Sequence, residues 1–381
     1  MSQSLCHAAL PLVVCAFVCA SGCGRTGFGD SQDENSLPGD DPTNPVGGRG
    51  AGGGGSGEPG QNRLVTPATF SSSSNACESN ASGPFAQAGS TVVQRSYGLW
   101  WEPPFLLVAG PGFPTGGFRS YRLIAGQLEL VDEDVQSGFF EAVYFDGSYF
   151  YVGVPGLGLL VYELDASGLL TRIAENSDEL AQARQAWGDG TFVYVPLGTD
   201  GIRAIRFNGS EIELVGDPLP SEGFGLGVTV VEDDIYFADD AKLRVLNFDG
   251  SALTEVAEVT LNSASRAWSA LGVVFVSGRS EVAAVRRNGS TIDRLGTFVA
   301  PGDNSIRDVW SDGSLVYAVD QENGVYALEY DAATESFNQL GGFPVPDGGD
   351  ALGVVGNSEQ IFVAYDRAGL VALDGFACTA P

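Results

Sequence analysis

The stretch Ala186–Ser210, AWGDGTFVYVPLGTDGIRAIRFNGS, decides how the chain is read, because it recurs. Trp187 is followed by a tight Gly188-Asp189-Gly190 turn and the apolar run Phe192-Val193-Tyr194-Val195. A short Gly turn leads to a second run, from Ile202 to Phe207. Apolar, β-branched and aromatic residues on consecutive positions, bounded by Gly and Asp, describe a strand buried on both faces. The Asn208-Gly209 pair that follows is the strongest short-range hairpin signal.

Laid along the sequence, the template matches seven times. Its Trp position is occupied by Trp100, Tyr144, Trp187, Val230, Trp268, Trp310 and Val355, at intervals of 44, 43, 43, 38, 42 and 45 residues. A period of this length built from short strands is the signature of β-propeller blades. Helical repeats of similar length would need a 3.6-residue apolar pattern, which these segments lack. Each unit divides into four strands, in the second copy Phe139–Phe145, Tyr149–Val154, Gly158–Leu164 and Leu169–Ala174. The last strand of each unit carries more charge, as in Glu211–Asp217 and Ser290–Gly296, and so belongs at the solvated rim. Asn208-Gly209, Asp249-Gly250, Asn288-Gly289 and the longer Asp165–Gly168 supply the turns between third and fourth strands. The expected fold is all-β, a seven-bladed β-propeller with four-stranded blades.

A propeller that fails to close exposes a sheet edge. The last copy supplies three strands, Ala351–Gly356, Ile361–Tyr365 and Leu370–Leu373, and lacks a fourth. An N-terminal segment, either Asn62–Phe70 or Ser90–Gln94, is expected to complete it. Chain ends meeting in one sheet would bring Cys77 and Cys378 together, and a disulfide between them is expected in an exported protein.

Three strand pairs carry a family resemblance: Val193-Tyr194-Val195 with Gly201–Ile205, Val316-Tyr317-Ala318 with Gly324–Leu328, and Phe362-Val363-Ala364 with Gly369–Leu373. These runs resemble the LVIVD and YVTN repeats of bacterial propellers, over about Gly89 to Gly375. The resemblance implies the propeller fold and no particular activity. The copies depart from that consensus in the turn, where Asn208, Asp249 or Asn288 stands in place of a terminal Val-Asp.

Residues 8–20, AALPLVVCAFVCA, form an uncharged run too short to span a bilayer and suited to the core of a secretory signal. Ala20-Ser21-Gly22-Cys23 follows and resembles the lipobox of bacterial lipoproteins, which implies cleavage before Cys23 and its lipidation. Gly24 after that cysteine resembles lipoproteins sent to the outer membrane. An ordinary cleaved signal peptide with free secretion is the alternative. The expected organisation is a signal peptide over 1–22, a lipidated Cys23 with a flexible Gly-rich acidic linker over 23–75, and a propeller over 76–381. Gly47–Gly60 (GGRGAGGGGSGEPG) cannot bury enough apolar surface to order itself. A random coil of about fifty residues would hold the domain roughly 40 Å from the membrane.

With 48 Asp and Glu against 19 Lys and Arg, the net charge of −29 argues against nucleic acid or an anionic membrane surface as partner. The single histidine, His7, lies in the signal segment, so the mature chain has none for triad catalysis or metal ligation. The clusters Val131–Asp134 and Glu232–Asp234 lack the glycine spacing of calcium loops and read as solvated turns. No cofactor motif is found.

One constellation remains. The residue three before the Trp position begins each innermost strand, at the rim of the axial channel. It is Tyr97, Glu141, Arg184, Gly227, Ser265 or Arg307, with Arg266 and Asp350 alongside. Tyr97, Glu141, Arg184, Arg266, Arg307 and Asp350 are therefore the candidate ligand-binding residues, suited to an anionic or sugar-like ligand. The competing expectation is that Arg184 and Arg307 pair with Glu141 or Asp308 and tie blades together. The sequence thus points to a monomeric, non-enzymatic binding or scaffold propeller at the cell envelope, meeting a protein or glycan partner and touching the membrane only through its lipid. A lactonase-like hydrolase using channel carboxylates and a divalent metal, and a purely structural envelope protein, are the alternatives.

Overall fold

The computed structural model describes residues 87–91, 97–110, 116–125, 127–346, 349–357, 359–366 and 368–374. The signal segment, Cys23, the linker, Asn62–Phe70, Cys77 and Cys378 all lie outside the described residues. Seven antiparallel sheets follow one another along the chain, at 98–136, 142–176, 187–219, 225–264, 266–299, 306–343 and 351–374. Each sheet packs on its neighbours, so the fold is a seven-bladed β-propeller. Within the first six blades the strands run in sequence order from the axis outward. The second strands, such as Phe105–Gly110, Phe150–Val154 and Val316–Asp320, are buried along their whole length. That is why they read as unbroken apolar runs rather than alternating ones.

The ring closes through strand Gln87–Thr91, which pairs antiparallel with Gly369–Asp374 and supplies the fourth strand of the seventh blade. It overlaps the second of the two expected segments but begins at Gln87 rather than Ser90. Blade four is built differently from the rest. Its second and third strands form one continuous run, Asp234–Phe248, whose first arm pairs with Gly225–Val231 and whose second arm pairs with Leu253–Ala264. The run doubles back at Asp240, which holds φ at 54°. Asn247 Nδ2 then reaches Asp234 Oδ1 at 3.1 Å, although thirteen residues separate the two. With no loop there, and with Ser265 alone between this blade and the next, the 38-residue interval in the repeat has its explanation.

The turns between first and second strands fall into two kinds. In blades one, four and five the turn has two residues, Pro103-Pro104, Glu232-Asp233 and Leu271-Gly272. In blades two, three, six and seven it has four and opens with Asp146, Asp189, Asp312 or Asn357. Asp189 Oδ1 accepts the backbone N–H of Thr191 at 2.7 Å and of Phe192 at 2.8 Å, while its Oδ2 accepts the hydroxyl of Tyr194 at 2.6 Å. Asp146 holds Ser148, Tyr149 and Tyr151 in the same way, at 2.7–2.8 Å. In blade seven Asn357 keeps the two backbone bonds, and Phe362 stands where the tyrosine would be. An Asp paired with a Tyr five residues on is thus a fastening peculiar to the four-residue turn.

Trp187 and Trp268 belong to blades three and five, which are not neighbours, yet their rings lie 5.0 Å apart edge to face. Both side chains must therefore pass inside the innermost strand of blade four, where the template offers only Val230. Tyr144 continues the row to Trp187 at 5.3 Å and to Trp100 at 5.9 Å, and Trp268 continues it to Trp310 at 6.3 Å. These rings form an aromatic layer across the axis. Edge-to-face and tilted contacts of this kind contribute about 0.5–1.5 kcal/mol each beyond their buried area.

Candidate functional site

Beside the aromatic layer, two and three residues earlier in the chain, lies a polar one. Glu141, Arg184, Gln185, Arg266 and Asp308 are all buried, with Glu141 at 0% exposure and Arg266 at 1%. Buried charges survive only when paired and hydrogen-bonded. Glu141 Oε1 accepts Arg184 Nη1, joining blades two and three. Gln185 Oε1 accepts the backbone N–H of Val228 at 3.0 Å, joining three and four. Arg266 Nη1 donates to Leu226 O at 2.7 Å, joining five and four, and reaches Gln185 at 3.4 Å. Asp308 accepts Val309 N at 2.9 Å and, across the next seam, Val354 N at 3.1 Å. Polar contacts thus bridge the seams from blade two to blade five and from six to seven.

The electrostatics of this layer follow from its dryness. Burial pushes the Glu141 carboxyl up to about 7, against the opposing pull of Arg184 and Arg266. Burial likewise raises Asp308 well above the carboxylate range, although Val354 N–H, Arg266 and Val309 N–H all favour its charged form. The Arg266 guanidinium is lowered to about 10 by burial, opposed by Glu141 and Asp308. Arg307 is also lowered to about 10 by burial, opposed by Asp350. Both guanidiniums stay charged at neutral pH.

The six candidates therefore separate into two groups, with Tyr97 apart from both. Glu141, Arg184 and Arg266 meet at the axis, and the pairing of Arg184 with Glu141 is the arrangement found. Arg307 Nε instead donates to Gln321 Oε1 at 2.9 Å, and Gln321 Nε2 donates to Asp350 Oδ2 at 3.0 Å, a half-buried chain between blades six and seven. Tyr97 is buried and stacks on Phe139 at 5.5 Å across the seam between blades one and two. Arg184 also lies over the ring of Phe224, 4.8 Å from its centroid. Gln185, Asp308 and Gln321 escaped the sequence reading as site residues. Gln185 and Asp308 share a detectable signal, for both stand two before a Trp of the template, as Arg266 does. Gln321 has none.

A concave region lies among the turns of blades three to five. It is a cleft of ≈ 470 Å³ lined by Asp189, Tyr194, Glu232, Asp233, Asp234 and Arg287, among others. Arg287 Nη1 pairs with Asp234 Oδ1, which leaves Glu232 and Asp233 exposed and facing solvent. The cleft is acidic. Among the described residues, Glu222, Glu255 and Glu258 also bring carboxylate oxygens within 4.8 Å of one another. Lys242 Nζ sits at 2.6 Å from Glu222 and 2.8 Å from Glu258, and Arg244 Nε at 2.6 Å from Glu255, so protein cations already balance that group.

No family model and no curated protein matches the chain. Solved structures resemble it in fold. A chain of the mitotic checkpoint complex aligns with a TM-score of 0.63 at 11% identity, over 83% of this chain and 100% of that one. Sqt1 of Chaetomium thermophilum, bound to the N-terminus of the ribosomal protein L10, aligns at 0.56 and 12% identity, over 73% and 83% of the two chains. The computationally designed protein Ika8 aligns at 0.56 and 7% identity, over 76% and 99%. At such identities the likeness is one of architecture.

Proposed function

We propose that this chain is a binding module of the cell envelope, anchored by a lipid on Cys23, spaced from the membrane by residues 24–75, and presenting the turn face of blades three to five to a basic segment of a protein partner. The observation that carries this reading is the contrast between the axial layer and the blade three-to-five cleft. In the axial layer Glu141 and Asp308 are buried and each is engaged by guanidinium or backbone donors. The blade three-to-five cleft is open, and its exposed Glu232 and Asp233 add to a negative surface. Propeller frames of similar shape occur in Sqt1 bound to the L10 N-terminus and in the mitotic checkpoint complex, which supports a protein rather than a small molecule as partner.

The test is capture from envelope extracts by the immobilised propeller, in parallel with a Glu232→Lys/Asp233→Lys variant. Both positions are exposed, so the charge reversal is expected to leave the fold intact. A protein retained by the wild type and lost from the variant supports the reading, and salt should weaken its retention. Equal retention by both forms, or a glycan as the retained species, removes it. Metabolic labelling with a radioactive fatty acid, expected in the wild type and absent from Cys23→Ala, tests the anchor separately.

A further inference from the structure

Glu141 is engaged on one side only. Its Oε1 accepts Arg184, while Oε2, equally buried, has no hydrogen-bond partner. An ionised carboxylate with one oxygen dry and unmatched is costly, and a neutral carboxyl in the same place is far less so. The charged groups around it are Arg184 from blade three and Arg266 from blade five, with Asp308 from blade six acting on it through Arg266. Blade one brings Tyr97 to the same level, since Tyr97 N and Glu141 N make equivalent bonds to Ala109 O and Gly153 O. With both carboxylates ionised, the two guanidiniums and two carboxylates cancel. With Glu141 protonated and Asp308 ionised, the layer carries one positive charge inside a protein whose net charge is −29.

We propose that Glu141 is a proton-operated switch on the seam between blades two and three: with a proton bound the seam stays shut at the axis, and on ionisation Oε2 draws water and the seam opens more often. The direction follows from linkage. The folded ring holds this proton up to about 7, whereas the unfolded chain releases it near 4.5. Between those values the folded state binds more protons than the unfolded one, so stability falls as pH rises. The contribution is fully present below about 4.5 and lost above about 7.

The experiment compares urea unfolding of the wild type and Glu141→Gln from pH 4.5 to 8. The ratio of their unfolding constants is expected to shift roughly 300-fold across that range in favour of the variant, tenfold for each pH step between 4.5 and about 7. Groups that do not interact with Glu141 are common to both proteins and cancel in the ratio, and the same comparison in an Asp308→Asn background removes the coupling that runs through Arg266. A ratio flat with pH overturns the proposal. A second measurement needs no variant: in wild-type protein carrying carboxyl-labelled glutamate, one resonance is expected to titrate near 7. Titration of every glutamate below about 5.5 overturns the proposal even if Glu141→Gln does not fold.

Discussion

The fastening of the four-residue turn makes a quantitative prediction at Asp189 and Tyr194. Asp189→Ala removes the acceptor of two backbone N–H groups and strands the hydroxyl of Tyr194, a residue 2% exposed. The turn N–H groups can turn to water, so their loss costs little. A buried hydroxyl deprived of a charged partner costs about 1.5–3 kcal/mol, and the lost turn bonds raise the expected total to about 3 kcal/mol. Tyr194→Phe removes the same bond from the other end and leaves Asp189 beside the cleft, where water replaces the hydroxyl, for about 1 kcal/mol. In the double variant no hydroxyl is left stranded. Its loss should therefore fall below that of Asp189→Ala, to about 1.5–2 kcal/mol, giving a coupling of about 2–2.5 kcal/mol. Urea unfolding of the four proteins measures this directly. Losses that simply add would refute the reasoning, because they would mean the turn and the strand are held independently.

Two glycines in blade two should respond unequally to the same added methyl. A Cβ on Gly153 would sit 2.1 Å from the backbone oxygen of Arg184 in the next blade, so Gly153→Ala is expected to cost about 3 kcal/mol by forcing the seam apart. Gly147 has nothing within 4 Å and only its φ of 103° to satisfy, so Gly147→Ala should cost about 1 kcal/mol, and thermal midpoints will rank the two. We also propose that Cys77 and Cys378 are joined. Gln87 pairs with Leu373, which puts Cys77 ten positions before one side of the closing pair and Cys378 five positions after the other. Intact mass of the non-reduced protein should be lower by two hydrogens than after reduction, with stability falling by up to roughly 5 kcal/mol on reduction. Two free thiols in the native protein would end that proposal.

The repeat was legible in the sequence because it is made of local signals. Trp187, the Gly188–Gly190 turn, the run to Val195 and the Asn208-Gly209 hairpin each follow from neighbours within a few residues, and strand period and turn chemistry act at that range. The same logic located the fourth strand missing from the last blade and left two N-terminal segments to replace it, Asn62–Phe70 or Ser90–Gln94, of which the structure uses residues overlapping the second. It went less far in blade four, where the hairpin at Asp240 has no glycine or loop to announce it.

What the sequence could not settle is who meets whom at the axis. Trp187, taken alone, reads as packing between adjacent blades, yet it touches Trp268 two blades on. Arg184 and Arg307 occupy the same template position, but one is held by Glu141 and the other by Gln321. Those partners lie 43 residues before Arg184 and 14 after Arg307, and no short-range pattern selects between them. The sequence by itself determined the blades, their number and the need for an N-terminal strand to close the ring. Only closure of that ring decided the polar and aromatic layers across the axis, because it brings residues of different blades together in a dry interior where each charge must find a partner or give up its charge.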